Sequence, residues 1–231
     1  MTFEYDELAR SASERGEVVL RRRHDPALAD PVLELRVNGV FVMDTAETST
    51  EVELARAALA QVGSPRRVLV GGLGLGFTTH AVLADERVER VVVAELEEAL
   101  VGWFRDGTVG HPADRAALVD GRLDLWTGAV QEAVAQAGDS SYDLVLLDVD
   151  NGPDFLVHEG NAGIYATPFL AGVRRVLAPG GVVAVWSASP SAALEEALAQ
   201  VCATAWTVPL PVRLQGREEA YWLHLGGTQS A

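Results

Sequence analysis

Apolar residues along this chain gather in short, nearly unbroken runs separated by stretches of helix length. Strands buried on both faces of a parallel sheet give that pattern. Five such runs stand out: Val68 to Gly71, Val88 to Ala94, Arg122 to Trp126, Tyr142 to Asp148 and Val182 to Trp186. The segments between them read as helices: Phe77 to Ala84, Leu96 to Asp106 closed by Gly107, Ala129 to Ala137, Thr167 to Leu177 stopped by Pro179-Gly180-Gly181, and Pro190 to about Ala203. Upstream, residues 17–45 look like a small antiparallel unit. Glu17 to Arg23 and Val32 to Val37 are rich in β-formers, and Asn38-Gly39 is a two-residue hairpin signal before Val40 to Met43. Thr50 and Glu53 have capping-box spacing and predict a helix through about Gln61. The tail, Thr207 to Leu214 and Ala220 to Leu225, reads as a hairpin around Gln215-Gly216. The expected fold is α/β: a Rossmann-like, seven-stranded, mostly parallel sheet with helices on both faces and a C-terminal antiparallel hairpin. A small N-terminal β-hairpin unit over 1–48 precedes a nucleoside-binding domain over 49–231. No internal repeat or low-complexity linker interrupts it.

Composition narrows the function classes. A chain of 231 residues, 48% of them hydrophobic, has material for one sizeable core. Its formal charge of −15 argues against nucleic acid, whose phosphates need a basic face, and against an anionic membrane surface. An acidic surface does attract cationic substrates. Cys202 stands alone, which excludes an internal disulfide and a thiolate metal cluster. Met1 to Asp6 has neither a basic n-region nor an apolar h-region, and no apolar run reaches membrane-spanning length. The expectation is a soluble cytoplasmic protein.

The chemistry concentrates at strand ends. Val68-Leu69-Val70-Gly71-Gly72-Leu73-Gly74-Leu75-Gly76 reads as a strand, a glycine turn and a helix start, and the next strand ends in Glu95. In an open α/β sheet the ligand lies outside the carboxyl ends of the strands, where such a carboxylate can accept hydrogen bonds from a ribose. Gly72, Gly74 and Gly76 alternate, unlike the G-x-G-x-x-G of dinucleotide sites, and Phe77 stands where a phosphate turn wants a small residue. This spacing fits S-adenosylmethionine-type nucleoside binders better than a nicotinamide site. Asp148-Val149-Asp150-Asn151-Gly152-Pro153 follows the fourth strand. Two carboxylates two residues apart can orient an ammonium group and take its proton. They are too few to hold a divalent cation unaided, and His24, His80, His111, His158 and His224 show no ligand spacing, so no metal site is expected. His158 and Tyr165 follow the acidic loop as candidates for its outer wall. No G-x-S-x-G elbow supports a serine hydrolase.

On these residues the chain resembles the polyamine aminopropyltransferase (spermidine synthase-like) family, within the class I methyltransferase-like fold. The resemblance runs from about Asn38 to Leu225 and rests on Val68 to Gly76, Val88 to Glu95, and Tyr142 to Pro153 followed by Tyr165. It implies a nucleoside donor, decarboxylated S-adenosylmethionine, whose aminopropyl group passes to a small amine, and it suggests a homodimer. Glu95 would then hold the ribose hydroxyls beside Gly72, Gly74 and Gly76, with Gly128 and Ala129 on the adenine side. Asp148 would help deprotonate the attacking amine and Asp150 would hold its ammonium, with Asn151 and Tyr165 nearby. The sequence also departs from the family. An ungapped alignment puts Leu75 where the family carries an Asp for the donor's amine, and Gly128 near the acid that contacts adenine. Val42 and Glu51 fall near its Gln and Tyr. These departures keep two alternatives open: methyl transfer from S-adenosylmethionine to a small molecule, and a non-catalytic nucleoside-binding or structural relative.

Overall fold

In the computed structural model of the chain, residues 4–24, 26, 28, 30–46, 48–109, 112–156, 159–214 and 217–229 are described. Two sheets organise them. The first holds four antiparallel strands in chain order: β1 (Glu4–Ser13), β2 (Gly16–His24), β3 (Val32–Val37) and β4 (Val40–Asp44). Asn38 and Gly39 both take positive φ, 52° and 74°, as a tight hairpin with right-handed strand twist requires. β1 carries no apolar alternation, which is why the sequence pattern does not announce it. It is an edge strand, largely exposed, held by its pairing with β2 and by Arg10 set between Glu7 and Glu17.

The second sheet has seven strands: β5 (Arg67–Gly71), β6 (Arg90–Glu95), β7 (Leu123–Thr127), β8 (Tyr142–Leu147), β9 (Leu177–Ser187), β10 (Thr204–Leu214) and β11 (Arg217–Gly227), in the order β10-β11-β9-β8-β5-β6-β7. β5 to β9 pair in parallel and the last two strands run antiparallel. Around them lie α1 (Ser49–Ala60), α2 (Phe77–Leu83), α3 (Glu98–Asp106), α4 (Pro112–Val119), α5 (Val130–Gln136), α6 (Thr167–Val176) and α7 (Ala192–Val201). Alternation persists inside the apolar runs. Val68, Val70, Val91, Val93, Leu144 and Leu146 pack on one face with Leu54 and Val82, while Leu69, Val145 and Leu147 pack on the other with Val134, Leu170 and Leu198. A third cluster joins the sheets, bringing Val18, Leu20, Leu35 and Val37 against Leu75, Phe77, Leu100 and Val109.

Several local expectations change. The Thr50–Glu53 capping box does not form: α1 starts at Ser49 after Thr48, no side chain caps it, and Thr50 Oγ1 donates to the Glu51 carboxylate instead. The Pro179-Gly180-Gly181 stop does not separate α6 from its strand by a loop, because β9 begins at Leu177 and runs through it. A Cβ on Gly181 would sit 2.8 Å from the Ala178 carbonyl, so only glycine lets the chain bend there without leaving the sheet. α4 and a 3-10 helix over Glu159–Tyr165 were not expected from the pattern. The tail hairpin is longer than its apolar core suggests, with Pro209 and Pro211 on edge strand β10, where a missing N–H is tolerated. Its turn, Gln215-Gly216, lies outside the described residues. Among the described residues no helix is long and apolar enough to cross a membrane.

Candidate active site

Strand order reverses between β5 and β8, and a crevice opens at their carboxyl ends, as it does in open α/β sheets generally. Parity decides which side chains reach it. Glu95 follows Val91 and Val93, Asp148 follows Leu144 and Leu146, and Trp186 follows Val182 and Ala184, so all three project on the face covered by α1 and α2. Gly72 continues the same face of β5. With φ at +94° and a would-be Cβ only 2.0 Å from the Asp148 carbonyl, it allows the two strand ends to converge.

Glu95 closes the glycine turn from the side. Its Oε2 accepts from Leu73 N at 2.8 Å and its Oε1 from Glu97 N at 2.7 Å, and the residue is buried. Burial pushes its pKa up, and the backbone amides of Glu97, Leu73 and Gly74 partly offset this. Glu97 is buried beside it. Arg15, at the β1–β2 turn, donates from Nε to Glu97 Oε1 at 2.9 Å and from Nη2 to the Leu96 carbonyl at 3.1 Å. The N-terminal sheet thereby braces the segment that carries Glu95. Removing that brace with Arg15→Ala is expected to cost about 1–2 kcal/mol, since Arg15 is itself part-exposed and Glu97 is not. Urea denaturation reads this directly, and a loss below about 0.3 kcal/mol would show the pair to be ornamental.

Across the crevice, Thr78 in the first turn of α2 donates from Oγ1 to Asp148 Oδ2 at 2.7 Å, and the same oxygen lies 3.4 Å from the Glu51 carbonyl. Burial raises the Asp148 pKa, and the Thr78 hydroxyl pulls it back. The acidic loop is pinned to the end of β9, where Ala188 N donates to the Asn151 carbonyl and a Cβ on Gly152 would meet Ser187 Oγ at 2.2 Å. Tyr165 is buried behind the loop, and burial together with Asp150 and Asp148 raises its phenol pKa.

The cavity holds about 1010 Å³ of empty space, part of it open to solvent. Of the residues expected at the site, Gly72, Gly74, Glu95, Ala129, Asp148, Asp150 and Asn151 line it. Gly76, Gly128 and Tyr165 do not. Gly76 starts α2 at φ +88° against Phe104, Gly128 packs on the Trp126 ring, and Tyr165 stands one layer back. His158 lies outside the described residues. Val42 and Glu51, the positions that depart from the resembled family, do line the cavity. Leu75 does not: it is fully buried in the cluster between the sheets. Sequence reasoning missed Met43, Thr78, Glu97, Gln131, Asn161 and Trp186, which also line it. For Trp186 the strand-end parity just described was a usable signal, and Thr78 and Glu97 follow directly on the glycine turn and on Glu95. For Met43 and Asn161 there was none, because they arrive from elements whose docking is not written in local periodicity. Five carboxylates (Glu51, Glu95, Glu97, Asp148 and Asp150) line the cavity, and among the described residues none that lines it is basic. Such a wall favours a cationic ligand.

Comparison with known proteins agrees with this geometry. Residues 47–207 match the spermine/spermidine synthase domain. A polyamine aminopropyltransferase of Aeropyrum pernix is 29% identical over 171 residues, covering 68% of this chain and 52% of the relative. A putrescine N-methyltransferase of Nicotiana tabacum is 31% identical over 129 residues, covering 54% of this chain and 30% of the relative. The chain thus spans about half the length of the first relative and less of the second. The crystal structure of spermidine synthase from Thermotoga maritima superposes with a TM-score of 0.75 at 13% identity, over 97% of this chain and 73% of that one, which establishes the shared fold. With a domain match over most of its length, the chain belongs to the spermine/spermidine synthase family.

Proposed function

We propose that the chain is an aminopropyltransferase that moves the aminopropyl group of decarboxylated S-adenosylmethionine to a small amine. One observation carries the reading: a cavity whose charged lining residues, among those described, are all acidic, in which a strand-end glutamate is locked to the glycine turn, opposite an aspartate with a raised pKa. Glu95 receives the ribose hydroxyls, Gly72 and Gly74 let the nucleoside approach the backbone, and the adenine lies toward Ala129 and Gln131. Asp148 accepts the proton of the attacking amine, and Asp150 and Asn151 hold the acceptor. The amine nitrogen forms a bond to the carbon beside the sulfonium as the carbon–sulfur bond breaks, methylthioadenosine leaves, and the proton passes to Asp148. Such an in-line displacement gains most from positioning. A sulfonium with an ammonium suits five carboxylates. The same reading includes a homodimer touching through the N-terminal strands, where Tyr5, Val40 and Phe41 are exposed, and a reducing cytoplasm for the lone Cys202 thiol.

The test is calorimetry on wild type and Glu95→Gln with methylthioadenosine, decarboxylated S-adenosylmethionine and S-adenosylmethionine. The variant amide would meet the Leu73 or Glu97 N–H with a donor, so nucleoside affinity is expected to fall about 10- to 100-fold. Binding of intact S-adenosylmethionine alone would replace the proposal with methyl transfer, as in the tobacco relative's name. Binding of none of the three would leave a non-catalytic relative.

A further inference from the structure

We propose that Arg15 is a positioning residue for the donor: from the N-terminal sheet it sets the Leu96–Glu97 peptide that seats Glu95. Nucleoside binding then depends on a side chain outside the cavity. The inference rests on the reading of Glu95 as the ribose-holding group and adds a second residue to that role.

Arg15 stands in the turn between β1 and β2 and does not itself line the cavity. Its turn is fixed from the side. Asn38, in the β3–β4 hairpin, donates from Nδ2 to the Arg15 carbonyl at 3.2 Å, and its Oδ1 accepts from Glu17 N at 2.9 Å. The guanidinium then grips Glu97 twice, donating from Nε to Oε1 at 2.9 Å and from Nη2 to the Leu96 carbonyl at 3.1 Å. The Leu96 carbonyl and the Glu97 N–H belong to one planar peptide group. That N–H donates to Glu95 Oε1 at 2.7 Å, while Leu73 N holds Oε2 at 2.8 Å. A line of hydrogen bonds therefore runs from the Arg15 guanidinium through the Leu96–Glu97 peptide to the Glu95 carboxylate. Each bond in such a chain polarises the next, so a cation at the carbonyl end strengthens the donor at the other.

Glu95 needs that support. To take two ribose hydroxyls and keep both backbone donors, it must accept at every lone-pair site, which only the ionised carboxylate offers. Burial works against the ionised form, and the charge of Glu97 adds to the opposition. Among the described residues no basic side chain lines the cavity, so the compensating cation comes from outside it. The hydrogen bond to Glu97 holds the Arg15 guanidinium in its charged state, and the charges of Glu97 and Glu95 reinforce this. Spanning a carboxylate and a carbonyl at once is a task for the planar fork of arginine rather than the point charge of lysine.

Calorimetry with methylthioadenosine tests this in a double-mutant cycle of Arg15→Met and Glu95→Gln. Methionine keeps the apolar stem and removes the cation. With Glu95 present, Arg15→Met is expected to weaken binding about tenfold. In the Glu95→Gln background it is expected to change affinity less than about twofold, since the carboxylate through which Arg15 acts is gone. With decarboxylated S-adenosylmethionine, Arg15→Met should raise the donor KM about tenfold and leave kcat within about threefold, because the ribose hydroxyls are not at the reacting carbon. A simple brace gives another pattern: lost stability removes active molecules and lowers kcat, while the molecules still folded bind as before. Arg15→Lys keeps the charge without the fork and is expected to lose about threefold in affinity, which decides the matter should the methionine variant not fold. Wild-type affinity in Arg15→Met, or in Arg15→Lys where only that variant folds, overturns the proposal. The same tenfold loss in the Glu95→Gln background overturns it too. If wild type binds no nucleoside, or Glu95→Gln alone binds as tightly as wild type, the ribose reading falls and this inference with it.

Discussion

Leu75→Asp is expected to cost at least about 4 kcal/mol of stability and to give no new affinity for a donor amine. By alignment the substitution restores an acid that the resembled family uses at the glycine turn. In this fold the residue points the other way. Leu75 is fully buried with Val18, Leu20, Leu35, Val37, Phe77, Leu100 and Val109, the apolar seam between the two sheets. An aspartate there loses the burial of a leucine, leaves a cavity, and desolvates a charge with no cation in the cluster. Leu75→Ala separates the effects: it keeps the cavity penalty of about 2–5 kcal/mol without the charge. Chemical denaturation of wild type and both variants checks the order Leu, Ala, Asp. A folded Leu75→Asp protein that binds decarboxylated S-adenosylmethionine more tightly than wild type would show that the turn presents this side chain to the ligand.

Asp148→Asn is expected to lower kcat by about 10²- to 10⁴-fold, the range for loss of a positioned general base. Nucleoside affinity should change less than about threefold, because Asp148 faces the acceptor side of the proposed complex. The pH profile adds a signature that mere misfolding does not imitate. Burial raises the Asp148 pKa, so its carboxyl stays protonated to higher pH than an ordinary aspartate. The proposed base acts as the anion. Activity should therefore rise with pH through this raised pKa and fall as pH drops below it. The Thr78 hydroxyl stabilises the anion, so Thr78→Val should move the rising limb to higher pH, and Asp148→Asn should remove it. An unchanged limb in Asp148→Asn would assign the titration elsewhere, with Glu95 the next candidate because burial raises it too. The linkage to stability has the opposite sign. A carboxyl with a raised folded pKa supports the fold below its unfolded pKa, and that support is lost as pH rises through the folded value. Ionising Asp148 for chemistry thus costs the empty protein stability, which a cationic ligand offsets.

Much of this site was legible before any coordinates. Glu95 and Asp148 end apolar runs, and in a parallel sheet such residues gather at one rim. The alternating glycines beside them could be read as a turn that lets a ligand near the backbone. What stayed hidden arrives from a distance. Met43 reaches the turn from β4, its sulfur accepting from Leu75 N at 3.3 Å and lying 2.7 Å from where a Cβ on Gly74 would be. Arg15 reaches Glu97 across 82 positions of sequence. The capping-box expectation failed for a similar reason: Thr50 is drawn into the buried face of α1 by tertiary packing, and its hydroxyl turns to Glu51.

The sequence alone therefore determined the alternation of buried strands and helices, the acids Glu95 and Asp148 at two strand ends, and the glycine turn. Each follows from local physics: the period of the backbone, the φ freedom of glycine, and the burial of apolar runs on both faces of a sheet. Only the tertiary structure decided which way Leu75 points, that Val42 and Met43 of the N-terminal sheet line the cavity, and that Trp186 lines it as well. Those are matters of how separately coded elements dock. Docking is set by shape and buried area summed over distant residues, and no window of sequence contains that sum.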